Sequence, residues 1–113
     1  MDPAEAVYAF VRTVPSGMVV TYGQVADSVD GVSLTPREVG AIMNVSPPDV
    51  PWQRVVGAGG HLPIGKRSPH LKTRQRELLE AEGVTFLPNG CVDMAAFQWR
   101  AGDSDAIGDL FEE

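Results

Sequence analysis

The stretch Thr21-Tyr22-Gly23-Gln24-Val25-Ala26-Asp27-Ser28-Val29-Asp30-Gly31, followed by Thr35-Pro36-Arg37-Glu38-Val39-Gly40-Ala41-Ile42-Met43, decides the fold. Each half opens with a threonine and carries a glutamine or glutamate three residues on. That spacing predicts a capping box, in which the threonine hydroxyl accepts from the N3 amide and the N3 side chain accepts from the N-cap amide. Pro36 has its φ already fixed for a first helical position. Val25, Ala26 and Val29 give the first helix an inward side, and Val39, Ile42 and Met43 give one to the second. Asp30-Gly31 ends the first helix and Ser46-Pro47-Pro48 the second. Two short helices joined by a turn with glycine fit a DNA-binding helix-turn-helix, and they fit an ordinary helical hairpin equally well.

Working outward, Asp2-Pro3 predicts the start of an earlier helix, with Val7, Phe10, Val11 and Val14 as its buried stripe and Pro15-Ser16-Gly17 as its stop. Met18-Val19-Val20 reads as a short extended stretch. Downstream come the apolar segment Pro51-Trp52-Gln53-Arg54-Val55-Val56, the turn Gly57-Ala58-Gly59-Gly60, and a loop from His61 to Arg67. Ser68-Pro69 caps a helix to about Glu82, with Leu71, Gln75, Leu78 and Leu79 towards the core and Gly83 as C-cap. Val84-Thr85-Phe86-Leu87 reads as a strand, and Asn89-Gly90 as a turn into a last apolar segment, Val92 to Trp99.

The 113 residues, 43 % of them hydrophobic, suit one domain with a modest core. No apolar run approaches the roughly 18 residues of a membrane span. Met1-Asp2-Pro3-Ala4-Glu5 lacks the basic start and apolar segment of a signal peptide. The expectation is a soluble, cytoplasmic protein with no membrane partner, nucleoid-associated if the cell is bacterial. One cysteine, Cys91, and two histidines, His61 and His70, exclude an intrachain disulfide and a multi-cysteine zinc site, and no cofactor or metal is expected. The net charge of −6 is unevenly spread. Residues 101–113 hold Asp103, Asp105, Asp109, Glu112 and Glu113 and no base. From Val50 to Arg76 lie Arg54, Lys66, Arg67, Lys72, Arg74 and Arg76 and no acid. Such a basic run suits a phosphate backbone, and it also suits a plainly solvated helix face.

Six pieces of sequence carry a resemblance: Pro15-Ser16-Gly17, Thr21-Tyr22-Gly23-Gln24-Val25-Ala26, Arg37-Glu38-Val39-Gly40, Pro51-Trp52-Gln53-Arg54-Val55-Val56, Gly59-Gly60 and Leu78-Leu79-Glu80-Ala81-Glu82-Gly83. In this order and spacing the chain resembles the DNA-binding domain of the O6-alkylguanine-DNA alkyltransferases, over roughly residues 4–87. That family's reactive motif is Pro-Cys-His-Arg-Val. Trp52 stands here for the cysteine and Gln53 for the histidine, as in the alkyltransferase-like proteins. The resemblance implies a mainly α, winged helix-turn-helix-like domain with a few short strands, spanning residues 1–100. Residues 101–113 are left as an acidic, disordered tail. Ile107, Leu110 and Phe111 lie at helical spacing in that tail and also suit a partner-binding helix.

Dealkylation needs a thiolate at the alkyl carbon, activated by a neighbouring base. Indole offers no such nucleophile, and an amide takes up no proton. The resemblance therefore implies a protein that is not an enzyme: a monomeric sensor that binds double-stranded DNA containing O6-alkylguanine, flips the lesion and flags it for nucleotide excision repair proteins. Two other readings stay open, an alkyltransferase using Cys91 and a small helix-turn-helix regulator.

Residue by residue, the resemblance implies that Tyr22 presses on the phosphate beside the target, and that Arg37 fills the gap left by the flipped base. Arginine at a helix start opposes the helix dipole, which favours a functional reason for Arg37. Gly40 and Ala41 would let the third helix lie close in the minor groove, although close packing between helices would also explain them. Trp52 would wall the lesion pocket, Arg67 would stack on the extruded guanine from a lid, and Arg54 with Glu82 would support the site. Tyr22 and Trp52 would serve equally as core residues. The chain departs from the family where Ser46 replaces a hinge asparagine and the following loop is two residues shorter.

Overall fold

The computed structural model describes residues 2–66 and 68–100. Helix α1 (Pro3–Arg12) leads into strand β1 (Val20–Thr21), α2 (Tyr22–Ser28) and α3 (Pro36–Met43). Strand β2 (Val55–Val56), α4 (Pro69–Ala81) and the short α5 (Met94–Phe97) follow. β1 and β2 pair in parallel, Val20 with Val55 and Thr21 with Val56, so α2 and α3 form part of the crossover that a parallel pair requires. The fold is thus mostly helical with one small sheet, as expected.

Both capping boxes form. Thr21 Oγ1 accepts from the Gln24 amide at 3.0 Å, and Gln24 Oε1 accepts from the Thr21 amide at 3.0 Å. The Thr35–Glu38 pair repeats this at 3.1 and 2.9 Å. Asp2 and Ser68 cap α1 and α4, each followed by proline. Val7, Val11 and Val14 are buried as the stripe predicts, with Tyr8 beside them. Phe10 is only partly covered and meets the Trp99 ring at 6.1 Å. This first cluster joins α1, α2 and α3 to Val20 and Val55. A second cluster of Val19, Val56, Leu62, Leu79, Val84 and Val92 lies across the sheet under α4.

Four details differ from the sequence reading. The stretch 84–87 is not a strand: it bridges back only at Phe86–Val92, because Asn89-Gly90 turns the chain before a longer ladder forms. Leu71 is 40 % exposed, since the first turn of α4 overhangs a pocket instead of packing on the core. Leu78 is only partly buried. Residues 52–54 form a 3-10 turn before β2. The last apolar segment, Val92 to Trp99, is a strap. Val19 N–H donates to Phe97 O at 2.9 Å, Trp99 N–H donates to Val19 O at 2.7 Å, and Gln24 Nε2 donates to Trp99 O at 2.7 Å. The strap therefore braces the start of α2 from the far end of the domain. The expectation for the acidic tail lies outside the described residues.

Candidate nucleic-acid interface

The capping boxes decide which side chains face outwards. In α3, Val39 and Met43 go to the core, and the opposite side of the helix carries Arg37, Gly40, Ala41 and Asn44. Arg37 is exposed in the first turn, with the Thr35–Glu38 box fixing the backbone on either side of it. Tyr8 Oη donates to Ile42 O at 2.8 Å and ties the last turn of α3 to α1. A Cβ built at Gly40 meets nothing within 4 Å, so helix packing does not demand glycine there. The bare backbone faces open space.

That space is a cleft of about 700 Å³. One wall is Tyr22 and Gly23 at the start of α2 with Arg37, Gly40, Ala41 and Asn44 of α3. The other is the stretch from Gly57 to Ile64, including His61. A second volume of about 250 Å³ is lined by Tyr22, Met43, Asn44, Ser46, Trp52, Ile64 and Leu71. Tyr22, Asn44 and Ile64 line both, so the two volumes adjoin. Its wall is mainly apolar, with Asn44, Ser46 and the Tyr22 phenol as polar points. Burial raises the Tyr22 pKa above the ordinary phenol value of 10.0, which keeps its hydroxyl protonated and able to donate.

Trp52 reaches the pocket from the 3-10 turn Trp52–Arg54, and its neighbours in the turn point the other way. Arg54 Nε donates to Glu82 Oε1 at 3.0 Å, and Arg54 Nη1 donates to Val14 O at 2.9 Å. Gln53 Nε2 donates to Glu82 Oε2 at 2.8 Å, and the Gly17 amide donates to Glu82 Oε1 at 2.9 Å. Gly17 reaches this position with φ +86, a left-handed conformation that glycine adopts without strain. Burial alone would raise the Glu82 pKa, but the Arg54, Gly17 and Gln53 donors outweigh it and hold the carboxyl below its ordinary value of 4.5.

The structure thus gathers Tyr22, Arg37, Gly40 and Ala41 along one cleft and puts Trp52 in the adjoining pocket. Arg54 and Glu82 are joined behind the pocket wall. Arg67 lies outside the described residues. Asn44, His61, Ile64 and Leu71 also line these volumes although sequence reading did not single them out for the site. Asn44 had a signal, seven residues after Arg37 and so on the same helix face. His61 and Ile64 sit in a loop, where no periodicity marks orientation. Cys91 lines neither volume; it follows the Asn89-Gly90 turn, where its amide donates to Asn89 Oδ1 at 3.0 Å. Among the described residues no cluster of three or more His, Cys, Asp or Glu side chains is placed to hold a metal, and no helix is long and apolar enough to cross a membrane.

Comparison with known proteins agrees with this geometry. Residues 2–84 match the family model described as 6-O-methylguanine DNA methyltransferase, DNA binding domain. A DNA base-flipping protein of Escherichia coli strain K12 is 35 % identical over 98 residues, covering 85 % of this chain and 73 % of that protein. Alkyltransferase-like protein 1 of Schizosaccharomyces pombe is 36 % identical over 101 residues, covering 83 % and 91 %. The crystal structure of S. pombe Atl1 in complex with damaged DNA containing O6-carboxymethylguanine superposes with a TM-score of 0.73 at 32 % identity, covering 86 % of this chain and 94 % of that one. The chain belongs to the family of the 6-O-methylguanine DNA methyltransferase DNA-binding domain, on its alkyltransferase-like branch.

Proposed function

We propose that the protein is a non-enzymatic sensor of alkylated DNA. α3 lies along the duplex, Arg37 enters the stack, and the extruded O6-alkylguanine passes Tyr22 into the pocket walled by Trp52. The observation that carries this reading is the adjacency of two volumes: a cleft edged by an exposed arginine and a bare helix backbone shares Tyr22, Asn44 and Ile64 with a mostly apolar pocket. The cleft supplies contacts to a phosphate backbone, and the pocket supplies a wall for an alkyl group. Arg37 offsets the few kcal/mol that unstacking costs, a cost that is lower at a mispaired lesion. By analogy with the family, Arg67 contributes a stacking contact to the flipped guanine. Because Trp52 cannot accept an alkyl group, the complex persists. By analogy with the family it marks the site for nucleotide excision repair in the cytoplasm, or on the nucleoid of a bacterial cell.

The test is binding to matched duplexes with and without one O6-methylguanine, at one fixed salt concentration because phosphate contacts make affinity strongly salt-dependent. Intact-protein mass is then measured. The expected result is tighter binding to the lesion and an unchanged mass. Equal binding to both duplexes would leave a regulator that ignores damage, and a gain of one methyl mass would make Cys91 or another residue an acceptor.

A further inference from the structure

Gln75 is the one buried side chain of α4 that is polar, at 2 % exposure. It shares the inner face of α4 with Leu79, a position where an apolar residue would satisfy helix packing alone. Its Nε2 donates to Gln53 O at 3.1 Å and to Val55 O at 3.0 Å. The 3-10 turn that carries Trp52 closes with amides bonded to Pro51 O and Trp52 O, so its closing bonds use neither of these acceptors. Seven residues along the same helix, Glu82 receives the side chains of Gln53 and Arg54. Residues 75 and 82 are two helical turns apart and face the same way. α4 therefore grips the turn by its carbonyls at one point and by its side chains at another, while the Trp52 side chain reaches the pocket.

We propose that Gln75 is a positioning residue for damage discrimination. Its two hydrogen bonds set the height and direction of the Trp52 wall. Contacts of α3 with undamaged DNA do not depend on it. This deepens the sensor reading and rests on it.

The test compares Q75M, which keeps the length and removes both donors, with Q75H, whose neutral imidazole keeps an N–H donor at similar reach. Three quantities are read for each: thermal stability, affinity for lesion-bearing and undamaged duplexes at one salt, and the Trp52 indole N–H resonance of the free protein, assigned with Trp52→Phe. In Q75M the preference for the lesion falls at least about fivefold and the Trp52 resonance moves, while affinity for undamaged duplex stays within about twofold, a change of only about 0.4 kcal/mol. Q75H restores both the preference and the resonance, at least in part. The proposal is overturned if Q75M keeps its preference, if both affinities fall together, or if the indole resonance stays in place. Should Q75M not fold, a folded Q75H that has lost the preference overturns it as well. A wild-type protein without lesion preference would defeat the sensor reading itself, and the indole resonance would still decide whether Gln75 positions Trp52.

Discussion

Replacing Glu82 by leucine removes the acceptor that donors from two separate segments share. The carboxylate takes the Gly17 amide at 2.9 Å, Gln53 Nε2 at 2.8 Å and Arg54 Nε at 3.0 Å. The Arg54 and Glu82 side chains are only 18 % and 12 % exposed. Deleting one member of a buried pair costs about 3–5 kcal/mol, chiefly because the other charge is left without compensation. Water reaches part of Arg54, and Val14 O still accepts from it, so the lower end applies, about 3 kcal/mol. For a domain of this size that lowers Tm by roughly 12–24 °C, at about 4–8 °C per kcal/mol. The assay is thermal unfolding of Glu82→Leu, Arg54→Leu and the double variant as a cycle. We expect the double variant to be more stable than the sum of the singles by about 2 kcal/mol, the size of coupling seen for residues in one network. Glu82 sits at the C-cap of α4, where the helix dipole disfavours an anion, so the local backbone gives no reason to keep it. A Tm loss under about 5 °C, or strict additivity, refutes the network as the anchor of the pocket wall.

The same carboxylate predicts acid sensitivity. Its folded pKa lies below its ordinary value of 4.5, so its contribution is complete above that pH and is lost as pH falls through the folded value. Between pH 4.5 and 3, Tm should therefore fall more steeply in the wild type than in Glu82→Gln; parallel curves would show the carboxylate to be uninvolved. Gly60→Ala should destabilise by about 2–3 kcal/mol in denaturant titration, because φ is +92 and the new Cβ would lie 2.6 Å from Val92 O. An unchanged midpoint would place the strap elsewhere than against this turn. Arg37→Ala should weaken lesion-duplex binding about tenfold or more, since about 1.4 kcal/mol per decade is lost from a residue offsetting unstacking. Its Tm should stay within about 2 °C, because the side chain is exposed. Equal binding by Arg37→Ala and wild type would remove Arg37 from base flipping.

What was legible from sequence follows from where the signal is local. Both capping boxes, the prolines at helix starts and the valine stripe of α1 were readable, because each is a rule about neighbours three or four residues apart. So was the outward face of α3, which follows once Val39 and Met43 are known to point inwards. The partnership of Glu82 with Arg54 was legible only through the resemblance, since 28 residues separate them. Leu71 shows the opposite case. Its spacing with Gln75 and Leu79 places it on the inner side of α4, but the helix overhangs a pocket there, and periodicity does not say where a core ends. The strap from Val92 to Trp99 was visible only as an apolar segment. Its pairing with Val19 closes a long loop, which nothing within the segment encodes.

The arrangement behind Trp52 separates binding from chemistry in physical terms. A thiolate site needs, next to its nucleophile, a group that accepts a proton and can pass it on. At that place Gln53 puts an amide whose Nε2 donates to Glu82 at 2.8 Å and which has no accessible second protonation state. Glu82 is no better suited to proton transfer. Its oxygens are taken up by donors from residues 17, 53 and 54, and those donors lower its pKa, so it resists taking a proton in the range where a general base must work. A hydrogen-bond network of this kind holds atoms still; it does not move protons between them. Rigidity is nevertheless useful to a binding pocket, because a wall fixed before the lesion arrives spends less binding free energy on ordering it. The features that make this network a poor relay therefore suit it to hold a tryptophan at a fixed height. On the sensor reading proposed above, the turn that presents Trp52 acts as a gauge for the shape of the base, held from behind by α4.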